Sequence, residues 1–98
     1  MGRGCFSYSG LEEFCAPPEL RLIADTAFEN CRYLRQVTLN KGLETLGRYD
    51  GMVFQNTGIE EITLPKTLKE VGSFAFVGAR GLGAIYVEDG CEANISPL

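Results

Sequence analysis

Ninety-eight residues, 45% of them hydrophobic and 22% charged, with nine Lys plus Arg against thirteen Asp plus Glu, fit one small soluble domain. A chain of this size buries somewhat over ~60% of its unfolded surface. The net charge of −4 excludes a chain built to neutralise phosphate, so no nucleic-acid partner is expected, and it disfavours anionic membranes. No apolar run approaches the roughly 20 residues of a bilayer span, and the start, MGRGCFSYSG, lacks the apolar stretch of a secretory signal. There is no His, so the commonest acid/base and metal ligand is missing and neither a Ser-His-Asp nor a Cys-His design is available. No catalytic residue, metal ligand or cofactor is therefore assigned.

Taken in chain order, the pattern opens on a Cys5-Phe6 pair. LEEFCAPPELRLIADTAF, from Leu11 to Phe28, begins with the alternation of a strand whose one face is buried. Pro17 ends that strand because Pro cannot donate to a ladder. Leu20 and Ile23 then lead to small Ala24, and Asp25 precedes Ala27-Phe28 as a candidate cap for a single helical turn. Leu34 to Phe54, LRQVTLNKGLETLGRYDGMVF, repeats the scheme with Asn40 in the Pro place and three extra residues within Arg48 to Met52. Ile59 to Phe76, IEEITLPKTLKEVGSFAF, aligns with the first copy over eighteen residues without a gap, and Ser73 is its candidate cap. The glycine-rich stretch Gly78-Ala79-Arg80-Gly81-Leu82-Gly83 falls where a turn is due, and no G-K-[ST] follows to make it a phosphate loop. A fourth copy from Leu82 supplies Ile85, Val87 and Cys91, with Ile95 one residue late and Glu88 in the Pro place. Asn94-Ile95-Ser96 is a glycosylation sequon, relevant only in a secreted context.

The marker residues Phe6, Phe28, Phe54 and Phe76 are 22, 26 and 22 residues apart. The unit L-x-x-I-x-L-P-x-x-L-x-x-I-G-x-x-A-F-x-x-C/N-x-x-L resembles the BspA-type leucine-rich repeats, a Phe- and Cys-marked class found in bacterial and protist surface proteins. The likeness runs from Cys5 to Ile95. The departures are the Arg48 to Met52 insertion, the two replaced prolines and the decayed last unit. The expected fold is a leucine-rich repeat solenoid of about four 22–26-residue units, with a parallel β ladder on one face and short turns or single helical turns on the other. The units fall near 6–27, 28–53, 54–75 and 76–98 in a single domain over 1–98. The chain starts inside a unit and stops after a worn one, as expected of a segment of a longer array.

No unit buries its apolar row alone, so units must stack, with equivalent residues ~4.8 Å apart. The interior columns are Leu11, Leu34, Ile59, Leu82; Phe14, Val37, Ile62, Ile85; Leu20, Leu43, Leu68, Cys91; and the four marker Phe residues. Asn30 and Asn56 form a polar column whose amides are expected to serve turn backbone groups. Four Cys residues allow three disulfide pairings. However, Cys5 falls with Ala27, Val53 and Ala75, Cys31 with Ser9, Thr57 and Ala79, and Cys91 with core Leu residues, while Cys15 takes an exposed strand position. No two adjoin, so packing and free thiols are the expectation, and no C-x-x-C points to a metal.

The variable strand positions are Glu12, Arg35, Glu60 in one column, Glu13, Gln36, Glu61, Ala84 in the next, and Cys15, Thr38, Thr63, Tyr86 near the strand end. Arg35 is expected to sit between two carboxylates about 5 Å away, a solvated ladder rather than a catalytic dyad. Solenoids bind macromolecules on such faces, so the expected function is a non-enzymatic protein–protein interaction module. Its site is Glu12, Glu13, Arg35, Gln36, Thr38, Glu60, Glu61, Thr63 and Tyr86, with the Arg48 to Met52 insertion as a second contact. The resemblance implies adhesion or cell-surface recognition and an extracellular or cell-surface location for the parent protein. The alternative is a structural spacer or terminal segment without a partner of its own. Open solenoid ends predict self-association.

Overall fold

The computed structural model describes residues 2, 4–48, 51–72 and 74–91. Tyr49 and Asp50 of the insertion, the cap candidate Ser73, Ile95 and the Asn94-Ile95-Ser96 sequon lie outside the described residues. Among the described residues there are seven short strands and no helix. They are β1 (Glu13–Cys15), β2 (Leu22–Ile23), β3 (Gln36–Thr38), β4 (Thr45–Leu46), β5 (Glu61–Leu64), β6 (Glu70–Val71) and β7 (Ala84–Val87).

All pairings are parallel. On one face β1 pairs with β3, with Phe14 opposite Val37, and β5 pairs with β7, with Ile62 opposite Ile85. This is the register of the sequence columns. β3 and β5 are not hydrogen-bonded to each other, so the expected continuous ladder is cut into two two-stranded sheets. The cut falls where the first apolar residues of successive copies, Leu34 and Ile59, are two residues further apart than at the other two junctions. On a second face β2, β4 and β6 form one unbroken sheet through Leu22, Thr45 and Glu70, and Ile23, Leu46 and Val71. Two-residue strands are too short to show alternation; they exist because stacking supplies their partners.

Of the two expected forms, short turns or single helical turns, the structure shows turns, which make a third stacked surface. Thr26, Phe28 and Asn30 donate their N–H groups to the carbonyls of Gly51, Val53 and Gln55, while Ala27, Glu29 and Cys31 close i→i+3 bonds within their own turn. Gly4, Phe6 and Tyr8 do the same toward Asp25, Ala27 and Glu29. Alternating outward and inward donors requires left-handed residues, and φ is positive at Gly4 and Tyr8, at Thr26 and Asn30, and at Met52 and Asn56. A right-handed helical turn cannot contain them. Asp25 accordingly caps no helix: it is buried, and its Oδ1 accepts the Arg48 N–H at 2.6 Å, fixing the start of the insertion.

The core follows the columns. Phe28, Phe54, Phe76, Leu34, Ile59, Leu43, Leu68, Val37 and Ile62 are buried, while the end members Phe6, Leu11, Phe14, Leu20, Leu82, Ile85 and Cys91 are only partly so. Successive marker rings lie 5.7 Å apart at interplanar angles of 9°, 3° and 10°. Near-parallel rings wider apart than the strand spacing are offset stacks. Phe14 tilts against Phe6 and Phe28. The Asn56 amide donates to Asn30 Oδ1 at 2.8 Å, so these side chains bond to each other rather than to turn backbone. Asn40, in the Pro place, is buried and staples two coils together by donating to the carbonyls of Pro18 and Leu20.

Three glycines pack closely where the insertion meets the next unit. Gly47 (φ +75°) and Gly51 (φ +83°) adopt left-handed backbone, and a Cβ on Gly51 would stand 2.7 Å from the Ala75 nitrogen. A Cβ on Gly72 would stand 2.9 Å from the Gly51 Cα. Side chains at these positions would push the backbones apart.

The four cysteines are unpaired. Cys31 is buried, its thiol donating to the Phe6 carbonyl at 2.9 Å. Cys15 is exposed. Cys5, expected in a packing column, is exposed as well.

Candidate interaction face

The strand positions build a polar face directly from period-two geometry. Burial alternates exposed, buried, exposed along β3, and exposed, buried, exposed, buried along β5. Buried Val37 and Ile62 therefore turn their neighbours outward. Glu13 on β1, Gln36 and Thr38 on β3, Glu61 and Thr63 on β5 and Tyr86 on β7 are all exposed, and so are Glu12, Arg35 and Glu60 just before their strands. Register places Glu13 beside Gln36 and Thr63 beside Tyr86. Tyr86 and Val87 carry exposed apolar surface at the edge strand.

On this face a cleft of about 740 Å³ lies along β3 and β5. One wall carries Arg35, Gln36, Thr38 and Lys41, and the other Glu60, Glu61 and Thr63, with Glu88 at the end. Lys41 and Glu88 were not among the expected site residues. Their signal lay in the two copies that lack the strand-ending Pro, where Asn40 precedes Lys41 and Glu88 itself replaces Pro. Glu88 Oε1 accepts the Lys66 N–H at 3.0 Å.

Arg35 lies in register beside Glu12, whose carbonyl accepts its backbone N–H at 2.8 Å, but no ladder joins it to Glu60 on the other side. Among the described residues the salt bridges are Arg21 to Glu44 at 2.9 Å and Arg48 to Glu70 at 3.9 Å, both beside the unbroken short-strand sheet. Without a ladder between β3 and β5, Arg35 has no fixed neighbour in Glu60, and the cleft charges stay open to solvent. Among the described residues no group of three or more Cys, Asp or Glu side chains is placed to hold a metal ion, and no helix is long and apolar enough to cross a membrane.

No curated protein and no solved structure matches the chain. The family model described as BspA type leucine rich repeat region (6 copies) matches residues 1–95. That match covers nearly the whole chain and agrees with the stacked parallel strands and the aligned Leu, Ile and Phe columns. The chain belongs to the BspA-type leucine-rich repeat family.

Proposed function

We propose that this protein is a non-enzymatic interaction module, a solenoid of about four units near 6–27, 28–53, 54–75 and 76–98, that binds a protein partner in adhesion or cell-surface recognition. The observation that carries this reading is the strand face: nine polar or aromatic residues on or just before successive strands are all exposed, and among the described residues none of them is in a salt bridge. Stacked variable positions of this kind give repeat proteins their extended binding surfaces.

Beads coated with the chain, assayed for adhesion to cells and to extracellular-matrix proteins, test the proposal. Glu61→Lys and Tyr86→Ala should each lower adhesion severalfold, whereas Lys69→Glu, beside the short-strand sheet, should leave it unchanged. Equal adhesion by all three variants would remove the strand face from the mechanism.

A second reading is supported by the β1 end of the stack, where Phe6, Leu11, Phe14 and Leu20 are only partly buried. As a segment of a longer array, the chain would have this edge covered by another coil, and a free copy would self-associate through it. A monomeric mass by light scattering at high concentration would dismiss the self-association.

A further inference from the structure

We propose that copies of this chain stack end to end in one direction, β7 of one copy pairing in parallel with β1 of the next, so that Cys15 of the second lies beside Tyr86 of the first. The proposal rests on the self-association reading above and names the two surfaces that meet and their register. Three observations converge on it. First, among the described residues β1 pairs only with β3 and β7 only with β5, so each has an unpaired edge on the outside of the stack. Such edges recruit further strands.

Second, columns that are buried inside the stack are uncovered at its two ends. Val37 and Ile62 are buried, whereas Phe14 and Ile85, the end members of their column, are only partly so. Leu64 is fully buried, and Val87, its register partner on β7, is 46% exposed. Continuing the observed registers of Glu13 with Gln36 and Glu61 with Ala84 sets Phe14 of one copy against Ile85 of the other and Ala16 against Val87. Each end then covers apolar surface that the other leaves to water.

Third, the ends are unlike. In the turns, Gly4, Phe6 and Tyr8 donate to Asp25, Ala27 and Glu29, then Thr26, Phe28 and Asn30 to Gly51, Val53 and Gln55, then Met52, Phe54 and Asn56 to Phe74, Ala75 and Gly78. Every junction runs the same way, the earlier coil giving its N–H groups to the later one. The β1 end therefore turns carbonyls outward, and two such ends face to face would set carbonyl against carbonyl. A two-fold partner would also carry the turn and short-strand surfaces out of register, whereas a head-to-tail copy superimposes all three surfaces. Contacts of this kind, advancing along the stack axis, do not close on themselves, so growth is open-ended.

The test is disulfide trapping in a glutathione redox buffer, with Cys5→Ser removing the exposed thiol other than Cys15. Parallel neighbours ~4.8 Å apart lie within the ~4.4–6.8 Å that a disulfide allows between Cα atoms. Cys5→Ser/Tyr86→Cys should give a ladder of dimers, trimers and longer chains on non-reducing gels, at least tenfold more than Cys5→Ser/Thr63→Cys, which puts the thiol in the same column but inside the stack. Mass spectrometry should map the link between positions 15 and 86. Tyr86 and Thr63 are both exposed, and an unchanged circular dichroism melt certifies the fold of each variant. For the unsubstituted chain, the mass by light scattering should rise with concentration past that of a dimer. Equal trapping at the two positions, a predominant link from Cys15 to Cys15, or a mass that stops at the dimer would overturn the inference; any of these with a mass above the monomer leaves self-association standing. A monomeric mass at every concentration would overturn both.

Discussion

The two strand faces obey the same repeat and end differently. β2, β4 and β6, only two residues each, form one unbroken sheet, and the turn surface beside them is hydrogen-bonded coil to coil around the Phe stack. The longer strands of the other face split between β3 and β5. Charges follow suit among the described residues: Arg21 forms a salt bridge with Glu44 on the continuous side, while Arg35 forms none on the broken side. Continuity therefore does not track strand length.

The comparison can be broken hardest at the Phe stack. Phe54, ringed on both sides, should lose about 3–5 kcal/mol of stability on replacement by Ala, read from urea unfolding, since the cavity cannot collapse between two fixed coils. Next in size is Gly51→Ala, expected to cost about 3 kcal/mol through left-handed strain and backbone overlap with Ala75; a stability near wild type would show that the insertion moves independently of the stack. Asn56 separates two causes. Asn56→Ala should cost about 2 kcal/mol and Asn56→Gly about 1 kcal/mol, because Gly forfeits only the amide bond to Asn30 while Ala also strains a backbone at φ 59°. Equal losses would assign everything to the amide. Smallest of all, Arg21→Ala should change stability by at most about 0.5 kcal/mol, since its partner-bonded side chain remains largely exposed; a larger loss in thermal melts would make the ion pair part of what keeps the short-strand sheet continuous.

Much of this architecture was legible in the sequence. The aligned Leu11, Leu34, Ile59 and Leu82 segments predicted four parallel strands and the observed registers of β1 with β3 and β5 with β7, and the exposure of Glu13, Gln36, Thr38, Glu61, Thr63 and Tyr86 followed from alternation. Three features were hidden for identifiable reasons. The short strands β2, β4 and β6 span too few residues for a period to register. The turns read as helical because Ala27-Phe28 after Asp25 looks like a capped first turn, while the left-handed residues include Tyr8, Thr26 and Met52, whose side chains do not announce that conformation. The break between β3 and β5 depends on how two extra residues are absorbed at one junction.

By itself, the sequence determined which residues share a column, because spacing and apolar identity recur whatever the backbone does between them. Tertiary structure alone decided which columns become ladders and which become clefts. A ladder needs two coils to approach at one fixed distance along their whole length, and that distance is set by neighbouring turns, glycines and inserted residues rather than by the strand's own composition. Arg35, Lys41, Glu60 and Glu61 illustrate the difference: their types and positions are written in the chain, but the space between them comes from how the coils stack.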